Sequence, residues 1–319
     1  MRGKITFHIS MWIALLQAFN LNAQVNRNEK LYQLGWDNDV LMMTDYYYTQ
    51  GMGLFMYHPV FQMNPANLVL LKPSGYDQVI YGFSVDQRTY TPRDIKSYAI
   101  QFNDRPYAGV LVFTSKSIAA NQNQGLMLRS ELDIGVMGPA SGAGTVQYKY
   151  HEGTNNALPQ GWGYQHYNWP VFNYNLTAHQ RLGDWEKVEI YGKGQLRLGT
   201  LHDDATFGML IRTGFMNNYI ETLGLPIAGK DQDWQLFVNV EPTLTVVGYN
   251  ATLQGGWHRN PKLHYVSYSD MNKIVARVSS GFGLNYKFIG LNFNVIWNSS
   301  EFKKGVNHWY TSTRLYFVF

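Results

Sequence analysis

Gln147 and His151 are the residues whose type and spacing first suggest chemistry in this chain. They are four positions apart, so on a helical turn over 145–151 the amide and the imidazole would point in the same direction. An imidazole titrates near neutral pH and can act as a general base, whereas a single His in a loop is more often simply solvated. The spacing makes His151 a candidate base and leaves the solvated alternative open.

Further polar residues collect around Asp37-Asn38-Asp39 and Thr49. On their residue types alone, an Asn-Asp pair at a strand end is a turn and a Thr in a strand reflects β-propensity. The chain has no G-x-S-x-G or H-E-x-x-H motif and no cysteine. Their absence disfavours the commonest serine esterase and zinc protease arrangements and excludes a thiol nucleophile, a thiolate metal site and disulfides.

The elements that must position these residues are strands with one apolar face. Between Leu126 and Val136 every second residue is directed to one side and is mostly apolar, while Arg129, Glu131 and Asp133 share the other. The same alternation recurs over 186–198, 235–246 and 289–298. A strand tilted across a bilayer needs about 9–11 residues, and these segments are long enough.

The chain is predicted to be all-β, forming a transmembrane antiparallel up-and-down barrel of twelve strands. The predicted strands cover residues 30–43, 48–58, 77–90, 107–119, 125–137, 172–182, 186–200, 204–215, 234–248, 274–286, 289–299 and 308–319. An even number of strands places both termini in the periplasm, with short turns there at 121–124 and 183–185 and the loop 138–171 outside the cell. The connections 59–76 and 216–233 are longer than periplasmic turns usually are.

Composition agrees with a barrel. Only 15% of the 319 residues are charged and mean hydropathy is -0.27, as expected when apolar residues alternate with polar ones. After residue 23 the chain contains no run of about 18 apolar residues, which disfavours a helical membrane protein. The tyrosines 46–48 and the pair Trp309-Tyr310 are predicted to be girdle residues at the membrane interface. The chain ends in an amphipathic strand with an aromatic last residue, Phe319, which is typical of bacterial outer-membrane barrels.

Residues 1–23 are predicted to be a secretory signal peptide, leaving 24–319 as one barrel domain. Arg2 and Lys4 form its basic region and an apolar core follows. Without these two basic residues the formal net charge falls from +4 to +2. A charge so close to neutral, with no Lys/Arg run, gives no indication of nucleic-acid binding.

Five motifs in order resemble the LpxR-type lipid A 3'-O-deacylases of the Gram-negative outer membrane. They are WDND, TDYYYTQG, QRTYTP, DRPYAG and DIGVMGP, the last followed by Gln147 and His151. The resemblance implies a twelve-stranded barrel whose calcium-dependent site lies at the level of the outer leaflet, between the barrel wall and a short helix in an extracellular loop. It also implies hydrolysis of the 3'-linked acyloxyacyl group of lipid A.

The resemblance also implies site residues. The catalytic set falls on Asn38, Asp39, Thr49, Gln147 and His151, and Asp39 is the expected metal ligand.

For substrate binding, the candidates are the basic residues Arg93, Lys96 and Arg105. The family's basic pair after Y-[ST]-P is not cleanly matched here, and its acidic residue after the His has no counterpart beyond the adjacent Glu152.

Ester hydrolysis needs a base and a group that stabilises the oxyanion. With the common motifs absent, His151 is expected to act on water while a hard cation held by oxygens polarises the ester carbonyl. The residue types do not divide the roles of ligand and oxyanion donor among Asn38, Asp39, Thr49 and Gln147.

The sequence thus predicts an integral outer-membrane hydrolase with its site facing the outer leaflet, calcium as cofactor, and lipid A or lipopolysaccharide as substrate. Outer-membrane lipids surround it, and we expect a monomer without nucleic-acid partners. Two alternatives remain: an inactive barrel of the same family with a structural or binding role, and a narrow passive pore whose lumen is filled with paired charges.

Overall fold

The computed structural model describes residues 30–42, 44–225 and 234–319, so the predicted signal peptide lies outside the described residues. The chain forms a closed barrel in which each strand pairs antiparallel with its sequence neighbours and β1 pairs with β12. The strands are β1 Leu31–Asn38, β2 Tyr47–Tyr57, β3 Gln78–Thr91, β4 Ala108–Asn121, β5 Leu126–Met137, β6 Trp169–Trp185, β7 Val188–Gly199, β8 His202–Phe215, β9 Trp234–Asn250, β10 Ile274–Tyr286, β11 Ile289–Asn298 and β12 His308–Val318. The predicted twelve-stranded barrel is confirmed.

Two α-helices are present in the described ranges, α1 Ala143–Gly153 and α2 Ala251–Gln254. Helix α1 is the short loop helix that the sequence predicts. Neither helix, nor any other helical stretch among the described residues, has the length and apolar character to cross a membrane. We call the end of the barrel where Leu31 pairs with Val318 the terminal end, and the opposite end, which carries α1 and α2, the loop end.

The alternating pattern in the sequence corresponds to the two faces of the wall. In β9, Leu236, Val238 and Leu244 are exposed on the outside, whereas Gln235 and Thr243 are buried in the lumen. In β5, Ile134 is exposed and its neighbour Asp133 is buried. Burying polar residues inside and exposing apolar ones outside is the reverse of a soluble protein and is expected of a barrel in lipid.

Several strand boundaries differ from the prediction because of pairing that the sequence does not show. Strand β1 ends at Asn38, since a 3-10 turn at Val40–Met42 follows. The predicted turn at 183–185 is instead part of β6, where Trp185 pairs with Val188. A bulge after Arg181 accommodates this extension, and the turn itself is moved to 186–187.

The girdle prediction is wrong for most of its tyrosines. Tyr47 is buried in a loop cluster, and the Tyr48 hydroxyl lies in the lumen, where it donates a hydrogen bond to Asp37. Tyr310 is also buried, while Trp309 remains exposed on the outer wall. Tyr48 lies on the lumen side because β2 carries a bulge after it, which shifts the alternation of faces by one residue.

Ion pairs fill much of the lumen. Oppositely charged side chains from neighbouring or facing strands approach within 2.5–3.0 Å. These pairs are Lys116–Glu131, Lys193–Glu241, Arg197–Asp204, Arg212–Glu189 and Arg314–Asp37. Buried charges are tolerated when they are paired, so the polar interior is compatible with a stable barrel.

An apolar plug occupies the lumen at the terminal end. After β8 the chain turns inward, and the plug residues Ile220, Leu223 and Leu225 are buried. They belong to one cluster with strand residues such as Leu31 and Met127. This position explains why the connection between β8 and β9 is longer than a simple turn. The filled lumen argues against the passive-pore alternative.

Candidate active site

The first part of the site is the loop-end turn between β1 and β2. Asn38 is the last residue of β1 and pairs with Gln50 of β2, and Asp39 follows directly. The Asp39 carboxylate accepts hydrogen bonds from the Thr44 hydroxyl at 3.1 Å and from the Tyr46 backbone N–H at 3.0 Å. These bonds fold the turn around a buried carboxylate.

A bulge in β2 positions Thr49. The pairing of β2 with β3 shifts register between Tyr48 and Gln50, so Thr49 is the extra residue. Gly51 is required nearby because a Cβ there would overlap the Tyr48 hydroxyl. Thr49 is buried, and its hydroxyl has no hydrogen-bond partner among the described residues.

Helix α1 forms the second part of the site and packs against the loop end of β4. The chain reaches it through Gly138 and Gly142, whose φ angles of 110° and 70° are unfavourable for other residues. Gly109 of β4 permits the close approach, since a Cβ there would overlap the side chains of Ser141 and Ala143. Small residues thus hold the helix directly against the barrel.

Gln147 and His151 lie on the buried face of α1, as their spacing predicts. The Trp162 indole donates a hydrogen bond to Gln147 Oε1 at 2.8 Å. The amide nitrogen Nε2 of Gln147 is buried, and within the described part of the chain nothing accepts its hydrogens. The Gln147 side chain is therefore fixed through Oε1, and its Nε2 hydrogens remain able to donate to a ligand.

The His151 ring is oriented by its own loop. Nδ1 lies 2.6 Å from the Ala157 carbonyl oxygen, which can only accept, so Nδ1 carries the hydrogen. Nε2 faces Asp45 at 3.6 Å from its Oδ2 atom. With the hydrogen on Nδ1, the neutral form of the ring has its lone pair on Nε2, which is the form that a general base needs.

Asp39 and Asp45 place two carboxyl groups close together in this turn. Burial and, to a smaller degree, the charge of Asp45 raise the pKa of Asp39 to about 8. Burial also raises the pKa of Asp45, while the nearby His151 opposes that shift. A raised pKa means that the ionised pair of carboxylates is not fully compensated by the surrounding protein groups.

These elements enclose a cavity of about 640 Å³ between the barrel and α1. Its lining contains all five residues of the predicted catalytic set. Arg93 and Lys96 also line it, with exposed side chains at its rim. The Arg93 guanidinium is held at 3.0 Å from the Asp104 carboxylate. Residues more than a hundred positions apart thus meet at one place.

Arg105 is not brought to this cavity. It is almost fully buried on the lumen side, where it pairs with Glu301 and donates a hydrogen bond to Thr252 at 2.5 Å. Its guanidinium also lies 4.5 Å from the centre of the Tyr90 ring. These contacts indicate that Arg105 stabilises the loop end, and its position does not support the predicted role in substrate binding.

A second cavity, of about 450 Å³, lies inside the lumen. Its charged residues include Lys193, Glu241, Arg197 and Asp204, which are paired with one another. None of the five residues of the predicted catalytic set lines it. We therefore assign the chemistry to the outer cavity.

Asp45, Tyr150 and Trp162 are site residues that sequence reasoning missed. Asp45 and Tyr150 line the cavity, and Trp162 fixes Gln147. Asp45 stands within the motif TDYYYTQG, and an acidic residue so close to Thr49 was an available signal. Trp162 gave no such signal, because its contact depends on the fold of the loop after α1.

The donor atoms of the cavity fit a hard cation. In the ranges 30–42, 44–225 and 234–319, no three His, Cys, Asp or Glu side chains come together as a metal-binding group. The carboxylates of Asp39 and Asp45 are available, and Asn38 and Thr49 add neutral oxygens to the lining. Calcium accepts carboxylate, amide and hydroxyl oxygens as well as water, so this mixed set suits it better than it suits zinc.

Comparison with known proteins agrees with the geometry. A family profile described as "Outer membrane protein LpxR" matches residues 9–319. The solved structure of LpxR from Salmonella typhimurium superposes with a TM-score of 0.74 at 20% identity, covering 90% of this chain and 99% of that chain. At this identity the superposition establishes the fold.

A more distant match is the β domain of the Bordetella autotransporter BrkA. It superposes with a TM-score of 0.46 at 8% identity, covering 91% of this chain and 99% of that chain. No curated protein sequence is matched by this chain.

Proposed function

Since the chain belongs to the LpxR family of outer membrane proteins, which are lipid A deacylases, we propose that it hydrolyses the 3'-O-linked acyloxyacyl ester of lipid A. The observation that carries this proposal is the outer cavity, in which His151 and Gln147 of α1 face Asn38, Asp39 and Thr49. An ester-bearing lipid has access to a cavity outside the barrel wall.

The proposed orientation places the loop end outside the cell and the cavity at the level of the outer leaflet. Lipid A is anchored in that leaflet by its acyl chains, so it would enter the cavity from the side. The exposed side chains of Arg93 and Lys96 at the rim carry the positive charge that an anionic phosphorylated head group requires. They are the proposed substrate-binding residues.

His151 is the proposed general base. Its Nε2 removes a proton from water as the oxygen attacks the ester carbonyl carbon, while Nδ1 keeps its hydrogen and donates it in a hydrogen bond to the Ala157 carbonyl oxygen. The imidazolium then returns a proton to the leaving alkoxide. The products are the released acyloxy fatty acid, which still carries its secondary acyl chain, and lipid A with a free 3'-hydroxyl group.

Two buried donors are suited to the negative charge that develops on the carbonyl oxygen. Gln147 Nε2 and the Thr49 hydroxyl are both without partners in the part of the chain that the structure describes. Preorganised donors of this kind are an effective way to stabilise an oxyanion. Asp45, 3.6 Å from His151 Nε2, would favour the imidazolium that forms during the reaction.

Asp39 is the proposed principal ligand of calcium, assisted by the oxygen of Asn38. The bound cation would polarise the ester carbonyl as a Lewis acid. The support for this assignment is the buried Asp39 carboxylate, whose pKa is raised by burial and by the charge of Asp45.

The mass of lipid A from expressing cells distinguishes an active deacylase from the inactive-barrel alternative, which predicts no change in that mass. Cells of a heterologous Gram-negative host that express this protein should contain lipid A lighter by the 3'-O-acyloxyacyl group, as measured by mass spectrometry. When the purified protein is incubated with lipid A instead, a calcium chelator present during the incubation should prevent the loss.

His151→Gln should lower turnover by about 10²–10⁴-fold, because Gln cannot cycle a proton. His258→Gln is the matched control, since His258 is an exposed histidine at the same end of the barrel and does not line the cavity. Unchanged lipid A with folded wild-type protein would favour the inactive barrel, and full activity in His151→Gln would place the base elsewhere. A monomeric state stays a prediction.

A further inference from the structure

The connection between β2 and β3 crosses the outer wall of the barrel. We call residues 58–72 the outer strap. The Phe61 ring stacks on Phe83 of β3 at 6.0 Å between ring centres, and the Asn64 amide donates a hydrogen bond to Ser115 of β4 at 2.9 Å. Both strand residues belong to the outward face, like the exposed Phe113.

The strap continues over the next two strands. The Ser130 hydroxyl of β5 donates to the Leu71 carbonyl at 2.6 Å. The Tyr174 hydroxyl of β6 donates to the Val69 carbonyl at 2.9 Å and accepts from the Leu71 N–H at 3.0 Å. Four consecutive strands, β3 to β6, thus anchor one segment of non-strand chain.

The anchor points lie well away from the terminal end. Ser115 is midway along β4, and Ser130 is the fifth residue of β5 counted from the terminal end. The segment from Ser115 to the strand end at Asn121 is about 20 Å long, at 3.3–3.4 Å per residue. Even on a tilted strand, this distance brings the strap over the apolar band of the wall, which is about 25 Å tall in such barrels.

Much of the strap backbone has hydrogen-bond partners in the strap or on the wall. Pro59 and Pro65 have no N–H, and each begins a 3-10 helix. The Asn64 side chain accepts from the Ala66 N–H at 2.9 Å, and the Asn67 amide donates to two strap carbonyls at 2.8 and 2.9 Å. Backbone in hydrocarbon must find its partners within the protein, and this network supplies them.

The outer surface of the strap is mostly apolar, although the polar residue Gln62 is also exposed. Residues 58–71 include no Asp, Glu, Lys or Arg, in a chain that is 15% charged. Met63 and Leu68 are 85% and 83% exposed. The other exposed apolar side chains of the strap are Val60, Val69 and Leu71.

We propose that the outer strap is embedded in the membrane and that its apolar side chains contact the acyl chains of the surrounding lipids. Its surface is continuous with the exposed apolar wall of β4 to β6, which argues for lipid as the occupant. The absence of charged residues from 58 to 71 and the hydrogen bonds of the strap backbone to the protein both suit a hydrocarbon environment. The strap adds a lipid-contacting surface that is independent of deacylation.

The absence of cysteine allows a direct test. Met63→Cys and Leu68→Cys would each be spin-labelled in protein reconstituted into phosphatidylcholine bilayers. Collision with oxygen, which concentrates in hydrocarbon, would be compared with collision with a water-soluble nickel chelate. Leu244→Cys on the exposed wall of β9 is the lipid reference, and Tyr98→Cys in the exposed loop after β3 is the water reference.

Labels at Met63 and Leu68 should match Leu244 within about two-fold in the ratio of the two collision rates. A ratio like that of Tyr98 would put the strap in water and overturn the proposal. Low accessibility to both reagents would indicate that protein, such as a second copy, covers the strap, and would also overturn it. Heat-modifiable electrophoretic mobility would verify that each labelled barrel is folded.

Discussion

His151 and Gln147 are each fixed by one ring or side-chain atom and leave the other atom for chemistry. Ala157 holds Nδ1 of His151, and Trp162 holds Oε1 of Gln147. A fixed side chain loses little conformational freedom when the transition state forms, which is the advantage of preorganisation. The arrangement therefore assigns separate roles to the two atoms of each side chain.

Gln147→Glu tests the role of the amide nitrogen. A carboxylate oxygen can still accept from the Trp162 indole, so α1 should stay in place, but the N–H donors are lost. We expect kcat to fall by about 10²–10³-fold, as for the loss of an oxyanion donor. Gln124→Glu, in an exposed turn at the terminal end, is the control for the same change of charge. Near wild-type turnover in Gln147→Glu would exclude Nε2 as a donor.

Asp39 provides a pH dependence. Its pKa of about 8 without a cation lies above the ordinary value of 3.8, so below pH 8 the carboxyl is mostly protonated. A cation must displace that proton, so its apparent affinity should rise as pH increases toward 8, by up to about ten-fold per unit, and level off above.

Calcium titration calorimetry in buffers of different ionisation enthalpy would count the released protons. We expect close to one proton per cation at pH 7 in the wild type and a smaller release in Asp39→Asn. An affinity that is constant from pH 6 to pH 9 would contradict the assignment of Asp39 as the ligand.

At the scale of elements, the site depends on how closely α1 approaches the barrel. Gly109→Ala adds a Cβ that would overlap Ser141 and Ala143, so the start of α1 must move outward. A displacement of about 1 Å can lower a rate by roughly 10²-fold, because His151 and Gln147 would lose their alignment with Thr49.

Gly194→Ala in β7 is a matched control, because a Cβ there meets nothing within 4 Å. Deacylation rates would be compared for two variants that both show heat-modifiable mobility. Equal rates in the two variants would mean that the position of α1 does not limit the reaction.

The elements were largely predictable because a strand in lipid repeats a simple pattern over ten or more residues. The loop helix was implied by the family resemblance, and the spacing of four predicted that Gln147 and His151 would share one face of it. The role of Asp45 and the location of Arg105 in the lumen were not, since both depend on which strand faces which. The bulge at Thr49 is another feature of this kind, because it is defined only by the pairing of β2 with β3.

At the scale of the whole molecule, the two long connections at the terminal end pack on opposite sides of the barrel wall. The outer strap lies on the wall of β3 to β6, and the segment after β8 enters the lumen. Their sequences differ in agreement with these two environments. The strap has no charged residue before Lys72, whereas the segment in the polar lumen carries Glu221 among its apolar residues. The candidate site lies outside the barrel, so a closed lumen does not obstruct it.

The last prediction concerns ion conduction, which the plug in the lumen should block. In a planar lipid bilayer the purified protein should show no single-channel current, because Ile220, Leu223 and Leu225 fill the terminal end of the lumen. The double variant Ile220→Ser and Leu223→Gly removes much of this apolar volume. Leu223 has a φ of 55°, a conformation that Gly adopts readily, so the backbone should tolerate the change. We expect the variant to conduct and to retain deacylation, because the plug is at the end opposite to the site. Discrete current steps in the wild type would contradict the plug and restore the passive pore as an interpretation of this barrel.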